Sequence, residues 1–424
     1  MPELTRRKFL TTASLGLVAA SAAAGDMIQP VAALPSTSLP PKIKLPPLMA
    51  PTEKESEGPP RALPPNERLG FAIVGLGTLS LEEILPAFAQ TKRCKPVALV
   101  SGSPDKAKEI AQQYGINSKN IYNYQNYDSI RNNPAVDIIY IVLPNSMHAE
   151  YVVRGAKAGK HILCEKPMAT SPAECQQMID ACKQANKKLM IAYRCQYEPY
   201  NRAMIQMVRN KELGVVQLIQ ADNGQNQGGD LNQWRLKKAL AGGGCLPDVG
   251  IYCLNACRYL TGEEPIEISA MMHSTPGDPR FKEVEENVNF LLRFPSGVLA
   301  NCSTSYGYHE VRRYRVFGSD AWAQLDPGFA YTGLQMMVGH KSRTNSMVEV
   351  VENRRLTEKN QFALEMDHMA ECVMENKQPH TPGEEGLQDQ KLIDTIYEAA
   401  RTGKTIKLPA VSGLDITRGP NPTS

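Results

Sequence analysis

A chain of 424 residues with 47 basic and 44 acidic side chains has a formal net charge of +3, which points to neither nucleic acid nor an anionic membrane as a partner and leaves a small molecule as the expected ligand. The length allows two or three domains with ample cores. Ten cysteines sit within apolar segments, among them Cys164, Cys175, Cys182, Cys253 and Cys257, and none has metal-ligand spacing with histidine, so free thiols are expected, with no zinc and no disulfide framework.

The N-terminus reads as an address. Thr5-Arg6-Arg7-Lys8-Phe9-Leu10, a mildly apolar alanine-rich stretch to Ala24 and small residues at 22–24 or 31–33 resemble a twin-arginine export signal over residues 1–33. The apolar part is too short and too mild to be a stable membrane anchor. Passage through the twin-arginine translocase implies a periplasmic protein that folds, and takes up any cofactor, in a reducing cytoplasm. Eleven prolines from Pro30 to Pro65 then forbid a helix or a central strand, so 34–66 is expected as an extended arm. It is either a bare linker or, given Ile43, Leu45, Leu48 and Met49, a segment lying on a surface such as a neighbouring subunit's.

From residue 69 the chain reads LGFAIVGLGTLS, a strand, a tight turn and a helix start. Gly75 and Gly77 let the backbone turn and approach a ligand where a Cβ would collide, and the next helix offers free N–H groups to an anion, here a dinucleotide pyrophosphate. Ser80 replaces the third glycine of the usual fingerprint, so the motif is degenerate. Strands are expected at 70–74, 96–101, 136–143, 161–164 and 189–192, and helices at 81–91, 104–114, 148–158, 172–186 and 199–209. Such alternation makes an α/β domain with a doubly wound parallel sheet over 67–194. Beyond a helix around 246–260, the runs 266–273, 288–294, 298–305 and 312–317 read as a mostly antiparallel sheet in an α+β domain over 195–424. Helices at 361–375 and 387–400 close the chain, the last packing back on either domain.

The second strand ends in Ser101, and the helix after it carries Lys106. A carboxylate there would hold ribose hydroxyls and repel a 2′-phosphate, whereas a hydroxyl and a lysine favour NADP. Strand five runs into Glu165-Lys166-Pro167 at the carboxyl edge of the sheet, where residues face the ligand crevice, though a surface lysine is an equally plain reading. A helix starting near Asp248 puts Asp248 and Tyr252 one turn apart on one face, as a catalytic pair or as a cap and a core residue.

Together AIVGLG, LPNSMHAE, AGKHILCEKPMAT, KKLMIAYR, QWRLKKALAGGG, DVGIY and PGEEGLQDQKLIDTIYEAARTG make the chain similar to the glucose-fructose oxidoreductase family, within the inositol dehydrogenase-like superfamily, over nearly all of its length after the arm. The resemblance implies an N-terminal Rossmann domain, a C-terminal α+β domain and a homo-oligomer, dimer or tetramer, with exchanged arms. It implies tightly bound, non-exchanging NADP, and Lys166, Asp248 and Tyr252 as the catalytic group. Tyr252 would take the C1 hydroxyl proton of a pyranose while hydride leaves for the nicotinamide, giving a lactone, and a ketose or second aldose would then be reduced to a polyol in a ping-pong cycle. A neighbouring ammonium such as Lys166 would favour the phenolate of Tyr252. Gly75, Gly77, Thr78, Leu79, Ser101, Lys106, Asn145, Glu165, Lys166, Trp234 and Arg235 align with the cofactor side; His148 is given no catalytic role. The stretch 223–232, NGQNQGGDLN, departs from the family where loops border the sugar. Two other readings stay open, an NAD(P)-dependent glycoside hydrolase of the same superfamily and a non-catalytic sugar-sensing module. The presence together of Lys166, Asp248 and Tyr252 speaks against the second.

Overall fold

The computed structural model describes residues 62–64 and 66–422; the expected export signal and all but the end of the proline-rich arm lie outside them. Six strands, β1 (Leu69–Val74), β2 (Cys94–Val100), β3 (Ile121–Tyr122), β4 (Ile138–Ile141), β5 (His161–Glu165) and β6 (Leu189–Ala192), form one sheet in the order β3-β2-β1-β4-β5-β6. Every pairing is parallel. A parallel sheet covered on both faces needs continuous apolar strands, and β4, IIYI, is buried throughout. One face packs on α1 (Pro104–Gln113) through Ala107, Ile110 and Ala111. The other packs on α2 (His148–Lys157) and α3 (Pro172–Gln184) through Val152, Ala156, Met178 and Cys182. This is the expected doubly wound Rossmann sheet.

The first helix differs from the expectation of 81–91. A wide turn at Ser80–Ile84, with the Leu85 N–H donating to the Ser80 carbonyl, runs into a short helix, Leu85–Ala87. Pro86 has no N–H to donate, so the regular ladder cannot pass through it.

After α4 (Pro199–Arg209), β7 (Val216–Gly224) begins a second sheet. It continues, beyond α5 (Ile251–Thr261), with β8 (Glu267–His273), β9 (Asn287–Arg293), β10 (Leu299–Ser305), β11 (Val311–Gly318), β12 (Ala321–Leu325), β13 (Met336–Lys341), β14 (Glu349–Arg354) and β15 (Ile406–Lys407). The order is β14-β13-β12-β11-β7-β10-β9-β8-β15, and only β7 and β10 pair in parallel. Burial alternates along β9, with Val288, Phe290 and Leu292 in the core and Leu291 exposed, and Leu299 at the start of β10 is exposed as well.

Two closing helices tie the sheets together. α6 (Gln361–Met374) buries Phe362, Met366 and Met369 in the core of the first sheet, beside α1. α7 (Gly383–Thr402) packs on both α3 and β8. All ten cysteines are buried free thiols, and no helix among the described residues is long and apolar enough to cross a membrane.

Candidate active site

The carboxyl ends of β1, β2, β4 and β5 open on a cleft of about 630 Å³ that includes the point between β1 and β4 where the strand order reverses. Its other wall comes from the second sheet, the turn Trp234–Leu236 and the start of α5. Gly75, Gly77, Thr78, Leu79, Ser101, Lys106, Asn145, Glu165, Lys166, Trp234, Arg235, Asp248 and Tyr252 all line this one cleft.

The glycine turn is built for close approach. Gly75 has φ +94°, and a Cβ there would lie 2.2 Å from the Val142 carbonyl oxygen. Gly77 has nothing within 4 Å of where its Cβ would be, so its backbone faces open space. Ser80, in place of the third glycine, turns its hydroxyl back onto the Gly75 carbonyl at 2.6 Å and braces the turn. Lys106 reaches over from α1 and donates to the Leu76 carbonyl at 2.6 Å. Ser101 accepts the Ser103 N–H. Among the residues lining the cleft the carboxylates are Glu165 and Asp248, and neither stands at the Ser101 end. These features fit a dinucleotide pyrophosphate, with a phosphorylated ribose at Ser101 and Lys106.

At the opposite end the charged groups lock together. The Lys166 Nζ donates to the Asp248 carbonyl at 2.7 Å and lies 3.5 Å from Asp248 Oδ1. Arg235 Nε (3.1 Å) and the Tyr306 hydroxyl (2.6 Å) donate to Asp248 Oδ2. Burial alone would raise this carboxyl, but the Arg235 and Lys166 cations and the Tyr306 donor outweigh it and hold it down to about 2. Asp248 lies in a wide turn, Leu246–Gly250, ahead of α5, so it approaches Lys166 rather than stacking under Tyr252 on a regular helix.

Tyr252 sits between two cations, with Lys166 Nζ 4.7 Å and Arg194 Cζ 4.8 Å from its ring centroid. The expected depression of its pKa by Lys166 is not found. Burial dominates and pushes the phenol up; the leading opposing effect comes from Arg194, so Tyr252 rests as a neutral phenol. Arg194, just beyond β6, is buried, donates to Gln361 Oε1 (2.5 Å) and the Phe329 carbonyl (2.7 Å), and packs 4.5 Å from the Tyr331 ring. Sequence reasoning missed Arg194, although the edge-of-strand argument used for Lys166 applies to it equally. Tyr306 and Tyr331 follow β10 and β12 and carry no local signal.

Asn145 donates to the Ala241 carbonyl at 2.8 Å, joining the loop after β4 to the glycine run at 242–244. His148 is fully buried between the carbonyls of Leu143 (2.9 Å) and Pro167 (3.0 Å), and burial lowers its pKa, which suits a structural link. Gln225 and Gln227, just after β7, line the cleft and are joined to each other at 2.8 Å.

A glycine-braced phosphate cradle and a Lys-Asp-Tyr cluster at two ends of one cleft define a dinucleotide-dependent oxidoreductase. The comparisons with known proteins agree. Residues 69–193 match the oxidoreductase family with an NAD-binding Rossmann fold, and 201–324 match the GFO/IDH/MocA C-terminal domain. The chain belongs to this GFO/IDH/MocA oxidoreductase family. It is 45% identical to the solved aldose-aldose oxidoreductase of Caulobacter crescentus, over 80% of this chain and 100% of that one, with a TM-score of 0.76. The NADP-dependent D-xylose 1-dehydrogenase of Haloarcula marismortui is 29% identical over 80% of this chain and 92% of its own length. The 3-ketoreductase KijD10 of Actinomadura kijaniata, at 22% identity over 78% of this chain and 98% of that one and a TM-score of 0.69, shares the fold.

Proposed function

We propose that the chain is a periplasmic sugar oxidoreductase that keeps its NADP bound, oxidises an aldose to the lactone and reduces a second sugar, aldose or ketose, in a ping-pong cycle. The observation that carries the reading is Tyr252, a neutral phenol flanked by two cations, in the same cleft as the phosphate cradle. The twin-arginine-like leader supports the location, and the likeness to an aldose-aldose oxidoreductase supports the substrate class. An exported enzyme meets no renewable pool of nicotinamide nucleotide, which is the argument for retention. The two-sugar cycle follows from it.

Bound NADP would supply the hydride acceptor and, once reduced, the hydride donor. The protein's part is to move the accompanying proton. The phenol, neutral at rest, must first give up its proton, an ionisation that the Lys166 and Arg194 cations and the positive charge of oxidised NADP would favour. As phenolate Tyr252 then takes the C1 hydroxyl proton in the oxidative half. In the reductive half the neutral phenol returns that proton to the forming alkoxide of the acceptor, so the two halves release none. Asp248, fixed by Arg235 and Tyr306, anchors Lys166. Gln225 and Gln227 offer uncharged hydrogen bonds suited to sugar hydroxyls.

The test is to incubate purified protein with glucose and a second sugar, without added cofactor, and assay aldonate and polyol. Equimolar formation of both is expected, and Tyr252→Phe should abolish it while NADP remains bound. Glycoside cleavage without net oxidation would favour a redox-cycling hydrolase, and no conversion of any sugar would favour a sensing module.

A further inference from the structure

Behind the cleft wall lies a buried chain of three side chains. The Tyr140 hydroxyl, from β4, is 2.7 Å from Glu165 Oε1 on β5 and 3.1 Å from Glu365 Oε1 on α6. A phenol carries one proton and can donate to one carboxylate only. For the second contact to be attractive, the other carboxyl must hold a proton and donate it to the phenol oxygen. Glu365 is fully buried, and among the described residues no donor reaches its Oε2. An anion in that position would leave one oxygen with neither solvent nor donor, which a neutral acid tolerates far better.

The charges around the pair decide which acid keeps the proton. Glu165 lines the cleft and has Lys166 and Arg194 near it. Glu365 faces Tyr140 on β4, Glu165 on β5, and Arg194, Cys195 and Tyr197 beyond β6. Burial raises both carboxyls, and the Glu165 charge pushes Glu365 further up. Arg194, the cation acting on Glu365 among the described residues, is hydrogen-bonded instead to Gln361 and to backbone carbonyls.

We propose that Glu365 is carried as the neutral acid and donates to Tyr140, which in turn donates to Glu165, holding Glu165 as a fixed anion in the wall of the cofactor cleft. Glu365 is thus a positioning residue that touches neither cofactor nor sugar. Its effect on turnover rests on the sugar-oxidoreductase reading, but its protonation state does not.

The direct test is the infrared spectrum of the purified protein at neutral pH, in water and in deuterium oxide, for wild type, Glu365→Gln and Glu165→Gln. A carbonyl stretch of a protonated carboxyl, shifted by deuteration and missing from Glu365→Gln, is expected, whether or not Glu165→Gln, which removes a charge that helps hold the proton, keeps it. Absence of the band from wild type, or its loss only in Glu165→Gln, overturns the proposal. Turnover gives the second readout. An amide at 365 still donates to Tyr140, so Glu365→Gln should keep the wild-type kcat, pH profile and sugar KM. Glu365→Leu, with no donor, should lose about tenfold in kcat, the rate equivalent of one hydrogen bond, with KM unchanged. A Gln variant as impaired as the Leu variant overturns the neutral-donor role. Were wild type inactive on sugars, the functional reading would fall while the infrared result still decided this one.

Discussion

Each oxygen of Asp248 faces a different partner, Oδ1 towards Lys166 and Oδ2 towards Arg235 and Tyr306. The carboxyl is held at about 2, against an ordinary value of 3.8. A depressed folded pKa stabilises the protein above the unfolded value, and that stability is lost as pH falls towards the folded one. The difference is worth ~2–3 kcal/mol at about 1.4 kcal/mol per pK unit. Asp248→Asn should therefore be less stable than wild type to denaturant near neutrality, with the gap narrowing below about pH 4. It should also lose roughly 10²-fold in turnover, because Lys166 is no longer aimed. A gap independent of pH would show that Asp248 is not the low-pKa group. Lys166, Asp248 and Tyr252, which the structure brings into one cleft, were singled out in the sequence by the family resemblance, since spacing alone left a surface lysine, a cap and a core residue equally open. Arg194 and Glu365 were not: they come from different segments, and what sets them apart is burial and unshared protons, which no local spacing records.

Among the elements, the parallel sheet was readable because strands covered on both faces must be continuously apolar. β7 escaped notice although it lies at the centre of the second sheet. Its sequence, VQLIQADNG, mixes polar and apolar residues because β7 has one exposed face and ends at the cleft, where Asn223 donates to the Val249 carbonyl. α6 was foreseen as a helix, but its destination was not. Its Asp367 carboxylate accepts the backbone N–H groups of Lys92 and Arg93 at 2.8 to 3.0 Å, fastening the helix to the entry of β2 some 275 residues away in sequence. Asp367→Ala would leave those N–H groups without the acceptor and should cost about 2 kcal/mol in denaturant unfolding. The same helix carries Gln361 to Arg194 and Glu365 to Tyr140, so turnover in this variant should fall with the loosening of α6. Unchanged turnover would separate α6 from the site.

Across the whole molecule, the two sheets and the C-terminal tail meet at one buried cation. Arg258 of α5 is completely buried and bonds Glu264 through Nε and Nη2 at 2.8 Å each, Glu385 at 2.9 Å, Thr417 at 3.0 Å, and Asp389. Arg418 adds a bond to Glu385 at 3.1 Å. The cluster thereby pins α5, α7 and the tail in register, and α7 is the helix that spans both sheets. Such an assembly adds little over an apolar core of the same shape, but losing its cation strands the carboxylates. Arg258→Met should cost about 3–5 kcal/mol in chemical denaturation near neutrality. As with Asp248→Asn the deficit should narrow as pH falls, but at higher pH and because the variant gains stability rather than because wild type loses it. Asp389 already sits at about 6, because burial raises it more than Arg258 lowers it. Without Arg258 the stranded acids would be pushed up further, so the folded state would bind more protons than the unfolded one. The variant should then regain more stability than wild type, in which the raised Asp389 alone already gives some gain, as pH falls from about 7 to about 5. Equal losses at both pH values would mean that packing around the Arg258 stem, rather than the buried charge, holds α5, α7 and the tail together.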